Sequence, residues 1–465
     1  MMNPLKHVFS AKGHEPWQSA GPDGPDPSNE IEKNPDLIHF TASERKQQID
    51  GFGGCFNEMG GAALNNLTES QRQDLMQALF GEEGCRFNIC RMPIGASDFS
   101  FGYYSLAEHE NDYAMENFSI DRDRTFLLPY VKYAASINPD LQVWGSPWCP
   151  PKWMKKNGLY KAGLEPWDHV SPGDLRWEPE VLNALCLYLE KFIRSYREEG
   201  IQLTGIHVQN EPWASQDFPS CRWSGQQLAV FIKDYLGPHV ERSGLDAEIW
   251  HGTTNHGIFE ETVSSAIRDP DCMNYITGFG FQWNGQNVLP IVNQMQTGKK
   301  YMATETMCGD GKNDWEYVWQ TAYQLQHYFH NGAHSYMQWN MILDQSGSSY
   351  WGWPQNSMVS ILTDRRNEIH DRPENREADW VQFHPQFYLV KHVSHFVRPG
   401  ATYVQTNKHP EVGCILFENP DGSLVAVFTN TQSISTAVRL TYFGSSTTVS
   451  LAPYSVNTVI YKPDP

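Results

Sequence analysis

Eight short apolar runs alternate with stretches of helical periodicity, and this repetition constrains the fold more than any other feature of the chain. The runs are QQIDGFGG, RFNICRMPI, LQVWGSPW, GIHVQNEP, AEIWHGTT, ITGFGFQW, KKYMATET and HSYMQWNMIL. Each is nearly continuous in apolar residues, as expected of parallel strands covered on both faces. Between them, Thr68 and Gln71 form a capping box ahead of Leu75, Leu79 and Phe80. Pro179 opens a second helix, whose stripe of Leu182, Leu185, Leu189, Phe192 and Tyr196 ends at Gly200. Eight strand-and-helix units in succession predict an α/β fold, the (β/α)8 or TIM barrel. A doubly wound sheet is the alternative, but the glycine-rich phosphate loop it usually carries after its first strand is missing.

The pattern changes near residue 400. CILFENPDGSLVAVFTN is two β-runs about the turn Asn419-Pro420-Asp421-Gly422, and TAVRLTYF and TTVSLAPYSVNTVIYK continue in the same manner. The expected organisation is an N-terminal loop over 1–29, early strands over 30–47 that join a β-sandwich, a catalytic barrel over 48–398, and the sandwich over 399–465. The turn-rich GPDGPDPS lies in the first of these segments.

Charge narrows the range of partners. With 35 basic and 54 acidic residues the formal charge is −19, which repels phosphate backbones and anionic lipid surfaces. Nucleic acid is therefore excluded as a partner. No apolar run reaches the length of a bilayer span, so no membrane insertion is expected. The nine cysteines are odd in number and contain no CxxC. They read as free thiols, and with no apolar leader in the first twenty residues they point to the cytoplasm. No HExxH and no His/Cys/carboxylate cluster at ligand spacing occurs, so neither a metal nor a cofactor is expected. The oligomeric state is left open.

Active sites of barrels lie at the C-terminal ends of the strands. The fourth run ends in Gln209-Asn210-Glu211-Pro212 and the seventh in Thr304-Glu305-Thr306. Two glutamates at strand ends can flank one glycosidic bond, one protonating the leaving oxygen and the other attacking carbon. His207 lies four residues before Glu211 and faces the same way, deeper in the barrel, where packing is its expected role. Ser97 and Asp98 follow the second strand, where they either touch a ligand or cap a turn.

The chain also resembles glycoside hydrolase family 30, the family of lysosomal glucosylceramidase and related microbial enzymes. The resemblance runs from Gln48 to Lys462 on IDGFGGCFNE, RMPIGASDFSFGYYS, ENFSIDRD, GSPWCPPKWMKKNG, VQNEP, ATET, MQWNMILDQSG, FYLVKHVSHFVRPGA and NPDGSLVAVFTN. It implies Glu211 as acid/base, Glu305 as nucleophile, and Asn210 as the contact to the hydroxyl beside the reacting carbon. It further implies that Glu58 binds far hydroxyls, that Trp148 and Trp339 wall the sugar pocket, and that Arg91 keeps Glu305 ionised. Asn356 matches a pocket asparagine after a shift in its loop.

Two positions depart from the family pattern. Glu58 stands where many relatives have Asp. Gln282-Trp283-Asn284 replaces the His-Trp-Tyr of the lysosomal enzyme, which brings Trp283 and Asn284 into the expected pocket. The expected activity is a retaining β-glycosidase that releases a terminal sugar of glucosidase, xylosidase or fucosidase type, acting on β-linked glycosides or oligosaccharides without a cofactor. An endo-acting β-glycanase, a transglycosylase and a carbohydrate-binding barrel without catalysis are the alternatives.

Overall fold

The structure is a computed structural model that describes residues 2–21, 24–25, 36–162, 174–306, 308–363 and 380–462. Eight parallel strands close into a barrel in chain order. They are Gly51–Cys55, Ile89–Ile94, Gln142–Pro147, Leu203–His207, Glu248–Thr254, Ile276–Gln282, Lys300–Glu305 and Ser335–Asn340. The eighth closes on the first, with Ser335 opposite Gly51 and Tyr336 opposite Phe52.

The sequence pattern explains the closure. Ile89, Trp144, Trp250, Met302 and Met337 form an interior cluster. His207 lies between the rings of Trp144 and Trp250, at 4.2 and 5.0 Å. So much aromatic bulk fits only because facing positions are bare. A Cβ on Gly280 would stand 2.7 Å from the His207 ring, so only glycine is accommodated there. Outside the barrel, helix Glu69–Phe80 begins on the Thr68–Gln71 capping box. Helix Pro179–Glu198 buries Leu182, Leu185, Leu189, Phe192 and Tyr196 against the strands.

Beside the barrel lies a nine-stranded sheet. Strand Ile38–Gln48 holds it together by changing partners along its length. Its first half pairs in parallel with Val438–Thr441, and its second half pairs antiparallel with Thr402–Thr406. Ile38, Phe40 and Ala42 alternate into a core shared with Leu416, Phe428 and Leu440. Ile415, Phe417, Val425 and Val427 face the other way and join the barrel's own core. The two units are therefore packed through apolar surface and not merely tethered.

The N-terminal loop expected over 1–29 is corrected in part. Asn3–Ala11 is a strand, paired antiparallel with Ser455–Lys462. Apolar alternation misses it because two of its buried positions are polar. His7 bonds Asn457 at 3.1 Å, and Ser10 bonds His392 at 2.9 Å. Residues 26–35, including the start of the segment expected to join the sandwich, lie outside the described residues. Among the described residues no helix is long and apolar enough to cross a membrane, and all nine cysteines are buried and unpaired.

Burial holds three of the histidines neutral. It lowers His207 and His392 to about 3 and His251 to about 4. A histidine depressed below its unfolded value of about 6.5 stabilises the fold above that pH and loses the contribution as pH falls towards the folded value. Each of the three should therefore cost about 2 kcal/mol at pH 5 relative to neutral pH. Urea unfolding from pH 7.5 to pH 5 should show stability falling steadily, and His392→Gln should flatten the slope. A slope unchanged by that substitution would show that His392 is not among the groups responsible.

Candidate active site

Arg91 stands at the centre of the site, on the second barrel strand and fully buried. Its guanidinium lies 4.3 Å from the Trp148 ring centre and 5.6 Å from that of Trp339. It donates to Glu305 at 2.9 Å, to Ser146 at 3.0 Å, to Gln282 at 3.2 Å, and to the Asn210 side-chain carbonyl. Glu305 ends the seventh strand, 6 % exposed, and also accepts from the Trp283 indole at 2.9 Å and from the Gln282 amide at 3.1 Å. Three donors thus converge on one carboxylate.

Glu211 follows the fourth strand and is reached through a strained turn, with φ 44°. A non-glycine residue in this region costs about 1–3 kcal/mol, held here by the surrounding bonds. The Glu211 N–H donates to the Thr253 hydroxyl at 3.2 Å, and that hydroxyl donates to Asn210 at 3.0 Å. The Asn210 N–H bonds the Pro147 carbonyl at 2.8 Å. The Glu211 carboxyl itself accepts from the Gln282 amide nitrogen at 3.1 Å.

That shared nitrogen bounds the spacing of the two glutamates. Glu211 Oε1 and Glu305 Oε2 each lie 3.1 Å from it, so they can be no more than twice that distance apart. A carboxyl pair of about 5–5.5 Å suits displacement through a covalent intermediate, whereas direct attack by water needs about 6.5–9.5 Å.

The electrostatics separate the two acids. Arg91 is the cation at the centre, and it balances one anion. Burial raises Glu305 above the ordinary carboxylate value, while the Arg91 charge and the hydrogen bonds from Trp283, Arg91 and Gln282 pull it back. Burial and then the charge of Glu305 push Glu211 up to about 8, with only Gln282 and Arg91 opposing. The negative charge therefore settles on Glu305 and the proton on Glu211. Glu211 is open to the cavity, so a ligand that displaces water there reinforces the split.

The cavity measures about 320 Å³ and is lined by Asp98, Trp148, Asn210, Glu211, Gln216, Phe218, Asn255, Trp283, Asn284, Glu305 and Gln355. Asp98 is buried, and its Oδ1 has no partner among the described residues. Burial, then the charges of Glu305 and Glu211, raise its carboxyl well above the usual range. Such a group can exchange hydrogen bonds with ligand hydroxyls.

The structure places the expected residues unequally. Trp148, Asn210, Glu211, Trp283, Asn284 and Glu305 line the cavity, and Arg91 lies behind them, bonded to Glu305 and Asn210. Trp339 does not line it directly but packs on Trp148 at 5.2 Å. Asn356 is buried and accepts from the Asn313 N–H at 3.0 Å, away from the lining. Glu58 is the correction. It accepts from the Phe101 N–H at 2.7 Å and pairs with Arg122 at 3.3 Å, so its carboxylate is committed to a loop and does not line the cavity. Asp98, by contrast, lines the cavity. Gln282, read from sequence as a departure, bonds both glutamates.

Residues 49–397 match the glycosyl hydrolase family 30 TIM-barrel domain, and residues 400–459 match the glycosyl hydrolase family 30 beta sandwich domain. Lysosomal acid glucosylceramidase of Mus musculus is 24 % identical over 453 residues, spanning 92 % of this chain and 83 % of that protein. SrfJ from Salmonella typhimurium superposes with a TM-score of 0.85 at 23 % identity over the whole of both chains. A solved endo-β1,6-glucanase reaches 0.79 at 21 % identity, covering 98 % of this chain and 99 % of its own.

Removing the central cation should be costly in a pH-dependent way. Arg91→Met strands Glu305, and breaking such a buried pair costs about 3–5 kcal/mol. Urea unfolding at pH 7.5 should register a loss of this size. The loss should shrink as pH falls and Glu305 takes up a proton. An equal loss at pH 7.5 and pH 4.5 would assign the role of Arg91 to packing on Trp148 and not to charge.

Proposed function

The chain belongs to glycosyl hydrolase family 30 and is a hydrolase of O-glycosyl bonds, and we propose that it cleaves β-linked glycosides with net retention from a chain end. The observation that carries this reading is the Gln282 nitrogen 3.1 Å from one oxygen of each glutamate, which caps the gap between those two oxygens and so supports double displacement over direct attack by water. In the first step Glu305 bonds to the anomeric carbon as the bond to the leaving oxygen breaks, and the Glu211 proton passes to that oxygen. In the second, Glu211 takes a proton from water. The water oxygen bonds to the anomeric carbon, and the bond to Glu305 breaks. Asn210, Asp98 and Trp148 hold the sugar, the last by its ring face.

Action on a terminal sugar is supported by the rim. Loops after the second, third, fourth and eighth strands interlock on one side of the mouth. Tyr103 stacks on Tyr160 at 5.6 Å and donates its hydroxyl proton to the Asp217 carbonyl. The Trp351 indole donates to the Tyr103 hydroxyl at 3.3 Å. Trp353 packs at 5.4 Å against Phe218, which itself lines the cavity. A side bonded shut in this manner favours one terminal sugar over a chain passing through. The endo-acting reading is the competitor, and cleavage products separate the two.

Three outcomes are expected. Glu305→Ala abolishes turnover, and near wild-type activity in that variant would sink the assignment. Glu211→Ala loses about 10²–10⁴-fold on substrates whose leaving group needs protonation. It still turns over activated aryl glycosides, with azide giving a β-glycosyl azide. On a β-linked oligosaccharide of several units, single sugars should leave stepwise from the non-reducing end. Early products from mid-chain cuts would replace the terminal reading with the endo one.

A further inference from the structure

We infer that Gln282 is a positioning residue that hands one hydrogen bond between the two glutamates as the negative charge moves from Glu305 to Glu211 and back. The inference rests on the double-displacement reading above.

The orientation of the amide is fixed by its oxygen. Gln282 Oε1 accepts from Arg91 at 3.2 Å and from the Thr304 hydroxyl at 2.8 Å. A flipped amide would turn its NH2 towards a guanidinium, so the nitrogen must face the glutamates. That nitrogen has two hydrogens and three acceptors in reach. They are Glu211 Oε1 and Glu305 Oε2 at 3.1 Å and Asn210 Oδ1 at 3.2 Å. Two donors for three acceptors must be shared, and the better share goes to whichever carboxylate is ionised.

The two glutamates depend on this donor unequally. Glu305 keeps Arg91 and Trp283 when Gln282 is removed. Among the described residues the Glu211 carboxyl accepts from Gln282 alone. In the glycosyl-enzyme Glu305 is an ester and Glu211 carries the charge, so Gln282 serves the second half of the reaction most. Around it stand Arg91 from the second strand, Asp98 beyond that strand, and the two glutamates. The thiols Cys55 and Cys308 also face the glutamate charge and are held neutral by burial. An amide does not titrate in the working range, so it can follow the charge without adding a charge of its own.

The test is Gln282→Met, which has similar length and no N–H, in the full chain with an activated aryl β-glycoside. The burst that reports formation of the glycosyl-enzyme should fall less than its hydrolysis, because Glu305 keeps Arg91 and Trp283. Its hydrolysis should slow about tenfold, and the pH limb of that step should move up by about one unit, the effect of losing one hydrogen bond to a charged group. Intact-protein mass should then show glycosyl-enzyme accumulating. Gln282→Leu, which also lacks an N–H, should move the limb the same way, including where the Met variant packs poorly. Burst and hydrolysis slowing in proportion, with the limb unmoved, would overturn the inference. A wild-type protein that forms no glycosyl-enzyme would overturn the double-displacement reading itself, and this inference with it.

Discussion

A single buried cation organises the site. The Arg91 guanidinium is wholly withdrawn from water and bounded on one side by the Trp148 and Trp339 rings. An isolated charge in that position is untenable, so the barrel mouth must supply one anion, and Glu305 supplies it. Burial weighs against a second charge nearby, and the charge of Glu305 adds to it at the other acids. Glu211 and Asp98 are pushed towards their neutral acids, and His207, below them, towards its neutral base. The difference in protonation between two chemically identical side chains follows from their burial and from which of them the buried arginine meets.

The backbone is shaped to the same end. Two non-glycine residues lining the cavity, Glu211 and Trp283, adopt positive φ values of 44° and 46°. Both lie past the ends of barrel strands. The turn brings the Glu211 carboxyl to Gln282 and the Trp283 indole to Glu305. Strain of this kind persists where neighbouring bonds over-determine it, and the Thr253 hydroxyl, which bonds both Glu211 and Asn210, is one such restraint.

Much of this was legible in the chain because strand ends are written as abrupt stops in apolar runs. Six of the eight barrel strands fall wholly within the runs that alternate with helices and the other two overlap them, and both glutamates lie at those stops. What stayed illegible was partner choice. Glu58 and Asp98 are both carboxylates close after a strand, and only the fold shows that Phe101 and Arg122 occupy the first and leave the second facing the cavity. Gln282 was visible as a departure from the relatives, but its two glutamate partners come from other strands. The N-terminal strand escaped for a related reason. Its buried residues His7 and Ser10 are polar, and Asn457 and His392, hundreds of residues away, make them tolerable.

That strand has a consequence for how the molecule is assembled. Residues 3–11 lie against 455–462, so an early segment finds its partner only hundreds of residues later in the chain. Strand Ile38–Gln48 is likewise completed only by Thr402–Thr406 and Val438–Thr441. During synthesis the barrel strands emerge in order, each beside its neighbour, while both early strands wait with unpaired edges for most of the chain to appear. The sandwich is thus a clasp closed by strands that precede the barrel in sequence and strands that follow it. The segment matched to the sandwich domain, 400–459, lacks the strands that complete its sheet, and cutting the chain between barrel and sandwich would leave two fragments with open edges and not two domains.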